Sequence, residues 1–213
     1  MKFIKPYFDI ISATPDLEKN IELAGRVCYK SEGRITADSH YGFIERLMES
    51  KHESVLEHGS ITVRIICDRG VSHEIVRHRI ASFSQESTRY CNYSKEAFGG
   101  EITFIDLASG FKYQADNPLE VKRYEVWMEA MKNAEKAYHD LLALEATPQE
   151  ARSVLPNSLK TEVFITANPR EWLHIFKLRT SKQAHPQMRE IMLLVAKEFA
   201  LQWPAIFGDF NEI

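Results

Sequence analysis

Residues 77–94 read RHRIASFSQESTRYCNYS, which places Arg77, His78, Arg79 and Arg89 within thirteen positions. The hydroxyls of Ser82, Ser84, Ser87 and Thr88 are interleaved with them. Guanidinium groups offer planar, paired donors that match phosphate oxygens, and hydroxyls and loop amides complete such a cage. The stretch is therefore a candidate site for a phosphorylated ligand. A solvated basic loop is the plain alternative, because surface charge clusters often contribute nothing measurable. A stacking platform for nucleic acid, using Arg77, Arg79 and Arg89 with Tyr90 and Tyr93, is another. The net charge of −3 and the lack of further basic runs weigh against that second alternative.

A second group of chemical residues follows Asn168. On a helix starting there, Trp172, Ile175, Phe176 and Arg179 share one face, since neighbours lie three and four apart. Arg179 then sits on the apolar stripe. Either its stem packs there while its head reaches water, or its charge meets a half-buried anionic ligand. Arg170 and His174, four apart, share the adjacent face, as two groups reaching one ligand would.

Other chemistries fit less well. The run His73-Glu74-Ile75-Val76-Arg77-His78 is one residue too long for the H-E-x-x-H zinc motif. A five-residue step turns roughly 140° about a straight helix, so the two imidazoles cannot share a metal, and no metal is expected. No glycine pattern for a dinucleotide fold or a P-loop occurs. Cys28, Cys67 and Cys91 lack CxxC spacing. Cys67 falls on the buried face of a strand and Cys28 inside a helix, so both read as small hydrophobes. Cys91, near Arg89, is the one candidate nucleophile, in a setting that lowers a thiol pKa poorly. Ser87 has no evident base and reads as a binding group.

Arg77-His78-Arg79, seven residues and then Ser87 resemble the RHR-x7-S signature of the flavin-dependent thymidylate synthases, and Arg89-Tyr90 also matches. Leu56-Glu57-His58 before a strand, ARSVLP at Ala151 to Pro156, and NPREWLHIFKLR at Asn168 to Arg179 resemble the family in the same order. The resemblance implies an FAD enzyme converting dUMP to dTMP. It further implies methylenetetrahydrofolate as carbon donor and NADPH as reductant, with hydride passing through FAD and no cysteine nucleophile. Carried over by position, Ser60, Arg77, His78, Arg79, Gln85, Asn168, Arg170 and His174 would contact FAD. Glu74, Arg77, Gln85, Glu86, Ser87, Thr88, Arg89, Arg152 and Arg179 would form the dUMP site. Arg179 would be the catalytic residue, stabilising the uracil ring as N3 loses proton character. Two positions depart from the family pattern: Glu74 stands where glutamine is commoner, and Gln85 where glutamate is. A homotetramer with sites shared between chains is likewise implied.

These residues need a scaffold. Aromatic and β-branched residues over the first dozen positions predict a strand with an edge at Pro6. Pro15 to Lys30 and Asp38 to Ser50 predict helices. Gly59 to Asp68 alternates, with Ile61, Val63, Ile65 and Cys67 on a buried face and Ile66 on the other. Val71 to Arg79 predicts a short helix, and the hydroxyl-rich Ser82 to Ser94 predicts irregular structure. Glu101 to Asp106 and Thr161 to Thr166 predict strands. Pro118 to Leu144 predicts the longest helix, its stripe read as core, and Thr147 opens a short capped one. Asn168-Pro169-Arg170-Glu171 is a strong helix start, and Pro186 to Trp203 predicts the last helix.

Strands scattered among unequal helices predict an α+β fold. The family resemblance specifies a mostly antiparallel sheet flanked by helices, in one domain over residues 1–213. With 44% hydrophobic and 27% charged residues the chain is expected to be globular. Pro6 and Asp9 interrupt any signal-peptide core, no run reaches membrane-span length, and an odd, unpatterned cysteine set fits a reducing cytoplasm.

Overall fold

The structure is a computed structural model describing residues 1–93 and 100–212. A four-stranded antiparallel sheet in the order β2-β3-β6-β4 joins Tyr7–Ala13, Ile61–Asp68, Lys160–Ala167 and Ser82–Gln85. A separate parallel pair joins β1, Lys2–Ile4, to β5, Thr103–Ile105. The initial strand-like stretch is thus two strands broken around Pro6, which lacks the N–H a ladder needs. The expected α+β arrangement, antiparallel sheet flanked by helices, is what forms.

One sheet face is the core. Ile61, Val63, Ile65 and Cys67 of β3 and Val163, Ile165 and Ala167 of β6 are buried, as the alternation predicts. Against them pack α7, Pro169–Arg179, and α8, Pro186–Gln202. Phe176 of α7 is the centre of an aromatic cluster, with ring centroids 5.5 Å from Trp172, 5.2 Å from Phe199 and 5.3 Å from Phe210. Burying side chains of this size contributes about 1.5–3 kcal/mol each before entropy is counted. Trp172 also donates its indole N–H to the Ile61 carbonyl at 3.1 Å, which ties α7 to β3. The first two helices, α1 at Leu17–Val27 and α2 at Ser39–Glu49, close one side through Leu17, Ile21 and Ile44.

A second core gathers Tyr93, Ile102, Phe104, Met131, Tyr138 and Leu159 beneath α5, Pro118–Ala143. Only Met131 and Tyr138 of the α5 stripe are fully buried, and Trp127, Leu141 and Leu142 pack half-covered against this core.

Four expectations need correction. Ser82–Gln85 is a strand paired with β6, Phe83 opposite Ile165, so pairing and Phe83 packing override the local hydroxyls. Ser94 lies outside the described residues. Ile66 is buried along with the opposite face, because the end of β3 is covered on both sides. Helix α3 runs Arg69–Ile75 in place of the expected Val71 to Arg79: the Asp68 side chain sets the earlier start by accepting from the Val71 N–H at 2.7 Å. After Ile75 the chain tightens into turns that bond the Arg77 N–H to the Glu74 carbonyl and the His78 N–H to the Ile75 carbonyl. Cys28 is no core residue; it follows α1 and is exposed. Helices α4 at Leu107–Phe111 and α9 at Pro204–Phe207 were not anticipated, nor were 3-10 turns at Glu32–Arg34, Glu53–His58 and Gly208–Glu212. The short helix at Pro148–Ala151, α6, has the capping box its sequence predicts. No helix among the described residues is long and apolar enough to cross a membrane.

Candidate active site

The start of α7 fixes one half of the site. Asn168 Oδ1 accepts the Glu171 N–H at 2.8 Å, and Pro169 needs no hydrogen-bond donor at the first helical position. Such a cap is worth about 1 kcal/mol. The β3–β6 register pairs Ile61 with Ala167, which sets Ser60 beside Asn168 at the same sheet end. Arg170 and His174, one turn apart, open with Asn168 and Glu171 onto a cavity of about 500 Å³. Arg170 is ion-paired there to Glu57 at 2.7 Å and Glu53 at 3.4 Å. Ile80, 71% exposed, forms part of the cavity wall.

At the other end of α7, Arg179 is held on three sides. Its Nη1 donates to Glu74 Oε2 at 2.8 Å, Nη2 to the Glu74 carbonyl at 3.1 Å, and Nε to His78 Nε2 at 3.0 Å. The side chain is 20% exposed, neither sealed in nor reaching freely into water. His78 is buried, and its ring meets His174 edge-on with centroids 5.7 Å apart. Burial, with help from Arg179 and His174, pulls the His78 pKa down to about 4, so the imidazole is neutral at neutral pH. Arg77 and Arg79 flank it, exposed and without an ion-pair partner among the described residues.

The second half lies where β4 runs into residues 86–91. Gln85 donates both to Ser72 Oγ at 2.8 Å and to Thr161 Oγ1 at 3.2 Å. Glu86 accepts from the Tyr93 hydroxyl at 2.8 Å and from Lys160 Nζ at 3.0 Å. Ser87 Oγ accepts the Arg89 N–H at 3.3 Å, and Thr88 meets Arg152 Nη1 at 3.4 Å. Arg89 stacks over the Tyr90 ring. A cavity of about 520 Å³ opens beside Gln85, Glu86, Cys91 and Lys160.

The candidates therefore form two groups: Ser60, Glu74, His78, Asn168, Arg170, His174 and Arg179 around α7, and Gln85 to Arg89 with Arg152 past β4. Among the described residues no hydrogen bond or ion pair joins Arg179 to Ser87, Arg89 or Arg152. Gln85 belongs with the second group; its amide contacts Ser72 and Thr161, not the cavity beside α7. Glu171 and Lys160 were not anticipated, and Tyr93, weighed only as a stacking group, instead donates its hydroxyl to Glu86. Glu171 reads locally as an ordinary first-turn acid, and only the fold brings its Oε1 to 3.4 Å from His78 Nδ1.

The cysteines are poorly set for attack. Burial, and then Asp68, push the Cys67 thiol far up, while burial and Glu86 raise Cys91. His73 and His78 do not face a common centre: His73 is exposed and His78 is buried against Arg179.

A half-buried, hydrogen-bonded arginine beside a neutral histidine, with two exposed guanidiniums that have no ion-pair partner among the described residues, has the donor chemistry to meet an anionic, planar group. Residues 9–205 match the family described as thymidylate synthase complementing protein. A flavin-dependent thymidylate synthase of Geobacter sulfurreducens is 35% identical over 210 residues, 94% of this chain and 84% of that protein. The enzyme of that name from Corynebacterium aurimucosum is 31% identical over 211 residues, 96% of this chain and 84% of that one. The one from Mycobacterium tuberculosis is 31% identical over 209 residues, 90% and 78% of the two chains. The chain belongs to the flavin-dependent thymidylate synthase family, and it is an enzyme.

Proposed function

We propose that this chain converts dUMP to dTMP with FAD as its cofactor, methylenetetrahydrofolate as carbon donor and NADPH as reductant. The observation that carries this most is the three-sided hold on Arg179 by Glu74 and His78. That hold fixes a charged guanidinium half out of water, where its interaction with an anion is stronger than at the surface.

The residues around α7 fit a flavin. Arg77 and Arg79 are exposed and have no ion-pair partner among the described residues, which suits a diphosphate. Asn168, Arg170 and His174 offer polar contacts around a cavity walled by Ile80, with Ser60 next to it at the same sheet end. FAD, when bound there, supplies the hydride-transfer chemistry. Arg179 orients the uracil ring and stabilises negative charge as its N3 loses proton character, which makes C5 the nucleophilic carbon. Ser87, Thr88, Arg89 and Arg152 hold the phosphate, with Glu74, Gln85 and Glu86 at the ring and sugar. The raised thiols of Cys67 and Cys91 support a route with no cysteine nucleophile.

The two groups of site residues support a homotetramer in which Arg179 acts on dUMP held by Ser87 and Arg89 of a neighbouring chain. The experiment is direct. Purified protein is given dUMP, methylenetetrahydrofolate, NADPH and FAD, and dTMP is measured with each omitted in turn. Formation that is indifferent to FAD contradicts the proposal.

A further inference from the structure

We infer that Glu171 is a positioning residue: it holds His78 in the tautomer protonated on Nδ1, and His78 in that form aims Arg179. This rests on the role proposed above for Arg179.

Arg179 Nε has one hydrogen to give, and it points at His78 Nε2 at 3.0 Å. Nε2 must therefore present a lone pair. A neutral imidazole carries a single proton, so that proton is on Nδ1. The oxygen that faces Nδ1 is Glu171 Oε1, at 3.4 Å, between side chains only 4% and 9% exposed. That distance is longer than a full hydrogen bond, and the effect is chiefly electrostatic. Between side chains so largely covered by protein, a Glu171 carboxylate favours the proton on the nearer nitrogen. The low His78 pKa keeps the ring neutral, so the choice is between tautomers and not between charge states.

Glu171 is itself placed by the helix start, through its N–H bond to Asn168. Glu74 takes both terminal nitrogens of Arg179, and Nε is left to His78. Two partners on two edges fix the guanidinium plane; one partner lets it swing. If the imidazole proton moved to Nε2, two donors would face each other and the Arg179 contact would open.

His78, Glu171 and His174 also bring ligand atoms within 4.8 Å of one another, which is the composition of a two-histidine, one-carboxylate metal site. A cation bound at Nδ1 would force the proton to Nε2, against the Arg179 donor. The hydrogen-bond pattern points to the positioning role instead.

The test uses full-length protein stripped of flavin, with ¹⁵N-labelled histidine and arginine, at neutral pH. His78 signals are assigned by their loss in His78→Gln. Expected are a His78 ring protonated on Nδ1 and a resolved Arg179 Nε–H. In Glu171→Gln, shown to be folded by thermal unfolding, the ring becomes a mixture of tautomers and the Arg179 signal broadens. With FAD restored, kcat falls about 10- to 100-fold while KM for dUMP changes little, as for a misaimed catalytic group. A structural role alone would lower stability and leave the tautomer unmoved. The inference is overturned by an unchanged His78 tautomer in folded Glu171→Gln, or by a wild-type ring protonated on Nε2. Stoichiometric Zn²⁺ binding at Nδ1 overturns it too. Should Glu171→Gln not fold, the wild-type tautomer decides alone. Normal turnover by Arg179→Ala would instead sink the role of Arg179 itself, whatever the spectra show.

Discussion

Arg179 and His78, 101 residues apart in the chain, meet through a 3.0 Å hydrogen bond from the guanidinium Nε–H to the imidazole Nε2. The last turn of α7 and the turn after α3 are thereby locked together. A side chain that merely stretched to water would not be tied to a buried neutral histidine and to both the carboxylate and the backbone carbonyl of Glu74.

Removing that guanidinium should abolish turnover and spare the fold. Arg179→Ala is expected to lower dTMP formation by ~10²-fold or more, the cost of losing a fixed charge stabiliser. Because the side chain is partly exposed, the melting temperature and FAD affinity should change little. Arg179→Lys should rescue poorly, since an ammonium cannot make the paired contacts. Near-normal rates from either variant, by steady-state assay, would return Arg179 to a packing role.

The cysteines should be dispensable for chemistry. Cys91→Ala is expected to keep turnover within a few-fold, and so is a variant with all three cysteines replaced. Cys67→Ser should cost stability, because a hydroxyl would be buried in the sheet core; about 1–3 kcal/mol by urea unfolding is expected. A folded Cys91→Ala with activity down by orders of magnitude would mean that a thiolate takes part.

His78 makes a signed prediction about pH. Its folded pKa, about 4, lies below the ordinary 6.5, so the unfolded chain binds more protons between those values. Stability from this group is complete above pH 6.5 and is lost as pH falls towards 4, by up to ~3 kcal/mol. Buried carboxyls such as Glu18 and Asp68, whose pKa burial raises, act in the opposite sense over the lower part of that range. The comparison is therefore wild type against His78→Gln, in urea unfolding at stepped pH. The variant should lose less stability on acidification; parallel curves would show that His78 is not buried neutral.

The separation of the site residues into two groups predicts complementation. Arg89→Ala and Arg179→Ala, each inactive alone, should recover activity when co-expressed. If sites pair reciprocally across chains, random mixing leaves roughly a quarter of sites with both residues intact. Co-purified mixed oligomers no more active than either parent would place the site within one chain.

Much of this was legible from local residues. Asn168-Pro169 sets the start of α7, and its spacing puts Trp172, Phe176 and Arg179 on one face, all before any tertiary contact is known. The alternation of β3 likewise marks Cys67 as core. What local pattern missed depends on distant partners. Ser82–Gln85 becomes a strand because β6 offers an edge to pair with. Cys28 falls outside the core because α1 ends one residue before it. Glu171 looks like any acid at a helix start until His78 arrives from another part of the chain.

The central claim is that this chain makes dTMP through a bound flavin, and the absorption spectrum of the purified protein tests it most directly. Reconstituted with FAD and freed of excess cofactor, the protein should show flavin bands that bleach anaerobically with NADPH. Adding dUMP and methylenetetrahydrofolate should then restore the bands as dTMP appears in matching amount. A protein that stays colourless and does not quench added FAD fluorescence, or that forms dTMP with no change in the bands, would contradict the account.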